Sequence, residues 1–200
     1  MKHITIGRQF GSGGRSIGKK VAERLGMPFY DRELIMLASQ KSGVSAKYIE
    51  SLDEKGTASF FHSLVLNATP AGAIMPNYFN ISTNDQLFIL QSEIIKELAK
   101  KTSSIFIGRC ADYVLEGENI LNVFIHAPHN FRLQNIARRY SISHKEAEYR
   151  LNKIDKKRKA YYNHYTSRKW GNVENYHLAI DSSKIPEDKI VEIIINAYKG

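Results

Sequence analysis

The chain has 200 residues, of which 42% are apolar, 24% charged and 10% aromatic. This composition is typical of a globular protein, and the length fits one domain with or without an inserted segment. The formal net charge of +9 indicates anionic partners, a class that includes nucleotides, nucleic acids and anionic membranes. The single cysteine, Cys110, excludes an intrachain disulfide and a zinc site built from several cysteines.

The N-terminal segment MKHITIGRQF lacks an apolar run of the length found in signal peptides. No stretch approaches the roughly 20 apolar residues that a membrane-spanning helix needs. We therefore expect a cytoplasmic protein that has no membrane partner. The sequence gives no indication of the oligomeric state.

The chain opens with the pattern of a strand, a glycine-rich loop and a helix. Residues 3–7, HITIG, are rich in β-branched side chains and predict a buried strand. Three glycines follow within the next seven residues, and residues 16–25 then carry apolar side chains at helical spacing up to Gly26. This order is typical of the first unit of a parallel α/β fold.

Strand and helix patterns alternate through the rest of the chain. Short apolar runs predict further strands at residues 27–31, 104–108, 122–126 and 177–181. Helical spacing of apolar residues predicts helices at residues 32–40, 45–55, 83–100, 128–140, 143–164 and 186–198. Residues 56–81 mix glycine, proline and asparagine with apolar residues and predict a mobile, partly helical insertion.

This alternation predicts an α/β fold of three layers, with a sheet of about five parallel strands flanked by helices. Ligands of such sheets bind at the carboxyl ends of the strands. Residues 11–16, Arg109 and Asp181 each follow a predicted strand and are expected at that edge.

The segment GRQFGSGGRS, residues 7–16, has the glycines and hydroxyls of the phosphate-binding loop G-x-x-x-x-G-K-[ST] but lacks its lysine. In such loops, backbone N–H groups and a helix N-terminus hold phosphate. Two alignments stay open. In one, Arg15 replaces the lysine; in the other, Gly14 takes the lysine position and Arg8 the first glycine position. Arginine binds phosphate bidentately, but it is bulkier than lysine. The competing interpretation is a turn that only joins strand to helix.

Four segments in order carry a resemblance to a known family: residues 5–35, residues 105–115 (IFIGRCADYVL), residues 154–183 and the closing helix. Their order and spacing resemble the cytidylate kinase-like family, a relative of cytidylate kinase among the P-loop kinases. The resemblance is weakest over residues 56–81. It implies a P-loop NTPase-type fold with a helical lid and an acceptor-binding insertion. It also implies transfer of a phosphoryl group from ATP, with magnesium, to a nucleoside monophosphate such as CMP or dCMP.

The resemblance further implies a single kinase-like domain over residues 1–200. Its parts are expected to be a core at residues 1–55, 82–140 and 176–200, an insertion at about 56–81 and a lid at about 141–172.

On the donor side, the resemblance implies that the glycine-rich loop holds the phosphates of ATP. The residues expected there are Arg8, Gly11, Ser12, Gly13, Gly14, Arg15 and Ser16. The Ser16 hydroxyl is expected at magnesium. Asp181, in the segment AIDSS, matches the strand-end position beside the adenine site.

On the acceptor side, Arg109 matches the arginine of the family's GRD motif, which meets the acceptor, and Cys110 stands where the family has aspartate. Asp31 matches the aspartate after the second strand. The resemblance implies that these side chains bind the substrate together with an arginine that leads into the lid, so the expected set is Asp31, Arg109 and Arg138.

The residues expected to act on the transferring group are Arg15, Arg139, Asp155 and Arg158. Arg139 again matches the arginines that lead into the lid, and Asp155 with Arg158 matches a D-x-x-R motif. Because Asp155 and Arg158 lie one turn apart on a predicted helix, a surface ion pair is the competing interpretation.

A second function stays open, namely a nucleotide-sensing or nucleic-acid-binding module on a degenerate kinase scaffold. The missing lysine, the net charge of +9 and the segment RELIMLA, which stands where an acceptor motif is expected after Asp31, all point to it. Phosphoryl transfer to a small-molecule nucleotide is favoured, and nucleic acid is the less favoured partner.

Overall fold

A computed structural model describes residues 1–31 and 83–200 of the chain. The chain divides into two compact units, Met1–Asp31 with Lys96–Gly200, and Arg32–Ile95. The sheet and the candidate site belong to the first unit. The predicted helices at 32–40 and 45–55 and the predicted insertion at 56–81 lie outside the described residues.

The described strands form one five-stranded sheet in which all neighbouring strands are parallel. In chain order the strands are β1 (His3–Arg8), β2 (Phe29–Tyr30), β3 (Ile105–Ile107), β4 (Ile120–His126) and β5 (Leu178–Asp181). Across the sheet the order is β2-β3-β1-β4-β5. The predicted parallel sheet of about five strands is confirmed.

The sheet is flanked by helices of its own unit, and the described residues contain six α-helices in all. They are α1 (Gly14–Leu25), α2 (Thr83–Lys101), α3 (Ala111–Val114), α4 (His129–Tyr140), α5 (His144–Thr166) and α6 (Glu187–Lys199), with a 3-10 turn at Val173–Asn175. The helices predicted over these parts of the chain are confirmed, whereas α3 and the 3-10 turn were not predicted. Both are shorter than five residues, so neither displays a helical period in the sequence. The boundaries predicted for core, insertion and lid stay predictions.

One face of the sheet is packed against α1 and α6. Alternate strand residues point to this face, as the two-residue period of a strand requires. The buried apolar side chains of this layer include Ile4, Ile6, Ile105, Ile107, Val123, Ile125 and Ile180 from the strands, Ile17 and Val21 from α1, and Ile190, Val191 and Ile194 from α6.

Glycine and serine residues define several helix ends. Gly13 precedes α1 with φ 80°, and Gly26 ends α1 with φ 63°, both in the left-handed region that favours glycine. Ser143 caps α5, since its Oγ accepts a hydrogen bond of 3.2 Å from the backbone N–H of Glu146. None of the helices in the described ranges is long and apolar enough to cross a membrane.

Candidate active site

The glycine-rich loop between β1 and α1 is shaped by two glycines. Gly11 and Gly13 have φ values of 81° and 80°. A Cβ at Gly11 would also lie 2.7 Å from the carbonyl oxygen of Arg132, so only glycine fits there. Within the described residues, no side chain caps α1 and its first turn holds no acidic residue. The N-terminus of α1 is therefore suited to an anion.

Hydrogen bonds from neighbouring strand ends hold the loop in place. Ser12 is buried, and its Oγ donates to the carbonyl oxygen of Gln9 at 2.9 Å. The Ser182 hydroxyl, just after β5, donates to the Ser12 carbonyl oxygen at 2.7 Å. The Gln9 side-chain oxygen accepts from the N–H of Ala127, after β4, at 3.1 Å. These hydrogen bonds restrict the loop, and a restricted loop loses less entropy when it binds a ligand.

Arg132 on α4 is a site residue that the sequence did not reveal. Its side chain is buried, and it donates to the Phe10 carbonyl oxygen at 3.1 Å and to the Ala127 carbonyl oxygen at 2.9 Å. It also forms an ion pair of 2.5 Å with Asp155. The available signal was its position four residues before the buried Ile136, on the apolar stripe of α4.

The structure brings Asp155 and Arg158 of α5 to the loop. The Asp155 carboxylate accepts from the N–H of Phe10 at 2.8 Å. Arg158 donates to the carbonyl oxygen of Arg8 at 3.1 Å, and its guanidinium lies 5.7 Å from the centre of the Phe10 ring. Asp155 and Arg158 are 4.0 Å apart, and their side chains are 15% and 27% exposed. The pair therefore joins α5 to the loop and is more than a solvated surface pair.

Arg8 and two glycines fit together at the carboxyl ends of β1 and β3. A Cβ built at Gly14 would lie 2.6 Å from the Arg8 Cβ and 3.2 Å from the Ile125 Cβ. A Cβ at Gly108 would overlap the Arg8 guanidinium. The Arg8 side chain thus runs from Gly14 to Gly108, and a lysine at position 14 has no room beside it.

Asp31 draws two arginines together next to the loop. Its carboxylate lies 3.4 Å from Nη2 of Arg8 and 2.5 Å from Nε of Arg15. The Asp31 side chain is 11% exposed, whereas that of Arg15 is 47% exposed. Asp31 thus holds two guanidinium groups beside the loop, and guanidinium groups can bind phosphate oxygens bidentately.

The turn after β3 has an uncommon backbone conformation. Gly108, Arg109 and Cys110 have φ values of 68°, 58° and 55°, so three successive residues are left-handed. For residues other than glycine this conformation costs roughly 1–2 kcal/mol each. Such strain persists only where the surroundings hold it, and it is concentrated at functional sites. The turn carries Arg109, the predicted acceptor-binding arginine.

A buried polar pair lies directly after this turn. The Tyr162 hydroxyl on α5 donates to the Asp112 carboxylate on α3 at 2.6 Å. Burial raises the pKa of the Asp112 carboxyl above its ordinary value, and it also raises the pKa of the Tyr162 phenol. The phenol therefore stays protonated at neutral pH and acts as the donor.

The Ser16 hydroxyl, the predicted magnesium ligand, donates to the Glu187 carboxylate of α6 at 2.8 Å. Lys20 pairs with the same carboxylate at 3.1 Å. Within the described ranges, no group of three histidine, cysteine, aspartate or glutamate side chains is arranged to hold a metal ion. Hydroxyl and carboxylate oxygens are nevertheless the ligands that Mg²⁺ prefers, together with water and phosphate oxygens. The donor set fits magnesium that arrives with a phosphate ligand.

Arg138 and Arg139 lie in the last turn of α4 and are exposed. Arg138 donates to the Asn135 side chain at 2.9 Å, and the Arg139 guanidinium lies 6.0 Å from the centre of the Tyr140 ring. From the same helix, Asn135 donates to the Gly11 carbonyl oxygen at 3.1 Å. The roles of Arg138 and Arg139 stay predictions.

A cavity of about 450 Å³ opens beside Asp181, at the ends of β4 and β5. This volume is in the range of small-molecule sites. Contacts with Ser183, whose N–H donates to the Asp181 carboxylate at 2.8 Å, lower the pKa of Asp181, so the carboxylate is ionised at neutral pH. The other lining residues are Gln9, Phe124, His126, Ala127, Pro128, Trp170, Gly171, Val173 and Ala179.

Solved structures of similar fold include several kinases. An uncharacterized protein from Eubacterium ventriosum ATCC 27560 has a TM-score of 0.72 and 26% identity, with 100% of this chain and 99% of that chain covered. Shikimate kinase from Aquifex aeolicus vf5 has a TM-score of 0.51 and 17% identity, with 100% and 97% covered. Deoxyadenosine kinase from M. mycoides, with bound dATP, has a TM-score of 0.51 and 13% identity, with 100% of both chains covered. The two kinases are similar to this chain in fold.

A comparison with curated protein sequences gave no match. The model of the Cytidylate kinase-like family matches residues 3–184, which include the glycine-rich loop, the turn after β3, helix α5 and strand β5. The family expected from the four sequence segments is thereby confirmed. The chain belongs to the Cytidylate kinase-like family.

Proposed function

We propose that this protein transfers a phosphoryl group from ATP to a nucleoside monophosphate, with CMP or dCMP as the first expected acceptor. One observation supports the proposal above the others. The Arg8 side chain fills the space between Gly14 and Gly108, so a cation stands at the loop although its lysine is missing. Phosphoryl transfer depends mainly on positioning and on neutralising phosphate charge, which is the chemistry that this cation supplies.

At the donor end, the loop would hold the ATP phosphates through its backbone N–H groups and the N-terminus of α1. Arg8 and Arg15 would add the positive charge that a lysine gives in other loops. Arg158 and Asp155 support the loop from α5 through their bonds to the Arg8 carbonyl oxygen and the Phe10 N–H. Arg139, in the last turn of α4 just before the predicted lid at about 141–172, would join them at the transferring group.

The adenine ring would lie near Asp181, whose cavity of about 450 Å³ is large enough for a nucleobase. At the acceptor end, Arg109 and Arg138 would bind the monophosphate. Asp31 would orient Arg8 and Arg15 through the two ion pairs described above. No general base is required, because a phosphate oxygen is already ionised at neutral pH.

Magnesium, when bound, neutralises charge between the donor phosphates. Ser16 would hold it through its hydroxyl oxygen, and Glu187 is the carboxylate beside that hydroxyl. The contribution of this chain is therefore one hydroxyl and one neighbouring carboxylate, and the remaining ligands would come from phosphate and water.

The test is ATP consumption with magnesium against a panel of nucleoside monophosphates that includes CMP and dCMP. The wild type is compared with Arg15→Ala, Arg109→Ala and the control Arg24→Ala. Arg24 lies at the other end of α1 and pairs with Asp188 at the surface. We expect turnover on one member of the panel, a loss of about a hundredfold or more in the first two variants, and no change in the control.

Unchanged turnover in both Arg15→Ala and Arg109→Ala would contradict the proposal. If the whole panel is inactive while calorimetry still detects ATP binding, the nucleotide-sensing alternative is favoured. RNA binding with a steep salt dependence and no effect of nucleotide would favour the nucleic-acid-binding module.

A further inference from the structure

Three side chains on one face of α5 contact three different parts of the site. Asp155, Arg158 and Tyr162 are spaced by three and four residues, which places them along one helix face. Asp155 accepts from the loop at the Phe10 N–H, and Arg158 donates to the end of β1 at the Arg8 carbonyl oxygen. Tyr162 donates to α3 at Asp112. Helix α5 is therefore a common support for the loop and for the segment after β3.

The Asp112 contact acts on the left-handed turn because α3 is continuous with that turn. Asp112 lies two residues after Cys110, and the N–H of Ala111 donates to the Gly108 carbonyl oxygen at 3.1 Å. The N–H of Val114 donates to the Cys110 carbonyl oxygen at 2.8 Å. A hydrogen bond that fixes Asp112 thus also fixes the backbone of Gly108–Cys110.

Strained left-handed residues persist only where the surroundings hold them. On one side, the Arg8 guanidinium lies against Gly108. On the other side, the Tyr162 hydroxyl holds Asp112 at 2.6 Å. Both partners of this hydrogen bond are buried, with 5% of Tyr162 and 7% of Asp112 exposed, so losing one partner leaves a buried polar group unsatisfied.

We propose that Asp112 and Tyr162 are positioning residues that hold the turn Gly108–Cys110, and with it Arg109, in the conformation that receives the acceptor. The proposal rests on the proposed function, which assigns Arg109 to the acceptor. It adds that the acceptor arginine is held from α5, the helix that also supports the donor loop through Asp155 and Arg158.

The test uses Cys110 as a probe of the turn. Cys110 is the only cysteine of the chain, it belongs to the turn and it is 2% exposed. The rate of alkylation by iodoacetamide, measured on the whole protein without substrate, therefore reports opening of the turn. This readout does not depend on any enzymatic activity.

We expect Tyr162→Phe and Asp112→Ala to raise the alkylation rate of Cys110 by about tenfold or more, because each removes one partner of a buried hydrogen bond. Asp112→Asn keeps a side-chain oxygen that accepts from Tyr162, so its rate should stay near that of the wild type. The matched control is Tyr198→Phe, which removes a hydroxyl that donates to the Lys2 carbonyl oxygen at 3.1 Å, at the amino end of the sheet. Its rate should also stay near that of the wild type.

Global destabilisation is separated from opening of the turn by repeating the labelling at low urea concentrations. Local opening is insensitive to urea there, whereas labelling through global unfolding rises with it. Alkylation of Tyr162→Phe at the wild-type rate would overturn the proposal, and so would an increase that follows global unfolding alone.

A kinetic arm separates this proposal from the proposed function. With CMP as the acceptor probe, we expect Tyr162→Phe to raise the KM for CMP by about fivefold or more while the KM for ATP changes little. Equal changes in both KM values would overturn the positioning role. If the wild type has no activity with any monophosphate, the proposed function fails, and the alkylation rates still decide whether Asp112 and Tyr162 hold the turn.

Discussion

At the carboxyl end of β1, the Arg8 side chain takes up the space that a side chain at Gly14 would need, since a Cβ at Gly14 would lie 2.6 Å from the Arg8 Cβ. In the second alignment of the loop, these are the positions of the first glycine and the lysine. Relative to the usual loop, an arginine stands at the first glycine position and a glycine stands at the lysine position. A cation is therefore still present at the loop. We therefore propose the alignment in which Arg8 compensates for the glycine at position 14.

The first prediction concerns restoring the lysine. Gly14→Lys alone should destabilise the protein by about 1–3 kcal/mol, because the new side chain meets Arg8 and Ile125 in a packed region. It should also weaken ATP binding. The double variant Arg8→Gly with Gly14→Lys removes the clash and should recover both properties. Urea unfolding and ATP calorimetry measure these effects, and a single variant as stable as the wild type would contradict the packing argument.

The second prediction compares two glycines that both have a left-handed backbone conformation. Gly108 and Gly117 have φ values of 68° and 87°. A Cβ at Gly117 meets nothing within 4 Å, whereas one at Gly108 overlaps the Arg8 guanidinium. Gly108→Ala and Gly117→Ala should each cost roughly 1–2 kcal/mol of stability from backbone strain.

Only Gly108→Ala should also reduce ATP turnover, because it displaces the Arg8 guanidinium from its position beside Asp31. Melting temperatures and turnover of the two variants are measured side by side. An equal loss of turnover in both would mean that the position of Arg8 is not what matters.

The third prediction concerns the ion pair that fixes α5 to the loop. Asp155→Ala leaves Arg132 and the Phe10 N–H without this carboxylate, and the side chains of the pair are only 15% and 9% exposed. We expect a loss of about 3–5 kcal/mol in the free energy of unfolding, because a buried charge loses its partner.

The control for Asp155→Ala is Glu146→Ala on the same helix. Glu146 pairs with Arg150 at 2.7 Å, and both side chains are more than two-fifths exposed. Breaking such a surface pair should cost about 1 kcal/mol or less. If urea unfolding gives similar losses for both variants, Asp155 is an ordinary surface charge and the competing interpretation of the D-x-x-R pair is correct.

Local sequence patterns predicted the parallel sheet, its flanking helices and the loop because each depends on short-range periodicity or on glycines. The family resemblance also singled out Asp155 and Arg158, whose side chains contact the backbone of Phe10 and Arg8. The pairs that build the site are distant in the chain: Asp112 and Tyr162 are separated by 50 residues and Ser16 and Glu187 by 171. No local sequence pattern predicts such contacts, because they form only when the chain folds and brings distant segments together.

Buried polar residues were the hardest to predict for the same reason. Arg132 is a charged residue on a basic helix, where an exposed side chain is expected. Only the fold places it under the loop. Arg138 and Arg139 are arginines of the same helix, yet they are exposed six and seven residues further along α4. Whether a charged side chain is buried in the site depends on the groups that it pairs with. Those groups belong to other elements of the fold.

The fourth prediction uses two carboxyl groups whose pKa values shift in opposite directions. Burial raises the pKa of Asp112 above 3.8, so the folded protein keeps this proton after the unfolded chain has released it. Ionisation of Asp112 therefore lowers the free energy of unfolding of the wild type as the pH rises from about 4 toward the raised pKa. Asp112→Asn removes this loss, so the melting temperature of the variant minus that of the wild type should become more positive as the pH rises.

Asp181→Asn is the control of opposite sign. Contacts with Ser183, including the hydrogen bond from its N–H, lower the pKa of Asp181, so its stabilising effect is present above 3.8 and is lost as the pH falls through the lowered pKa. The melting temperature of Asp181→Asn minus that of the wild type should therefore become more negative as the pH rises. Thermal unfolding of both variants and the wild type between about pH 3 and 8 measures the two trends. Parallel trends in the two variants would show that the Asp112 carboxyl is ionised like a solvated one, and that its burial does not disfavour the charge.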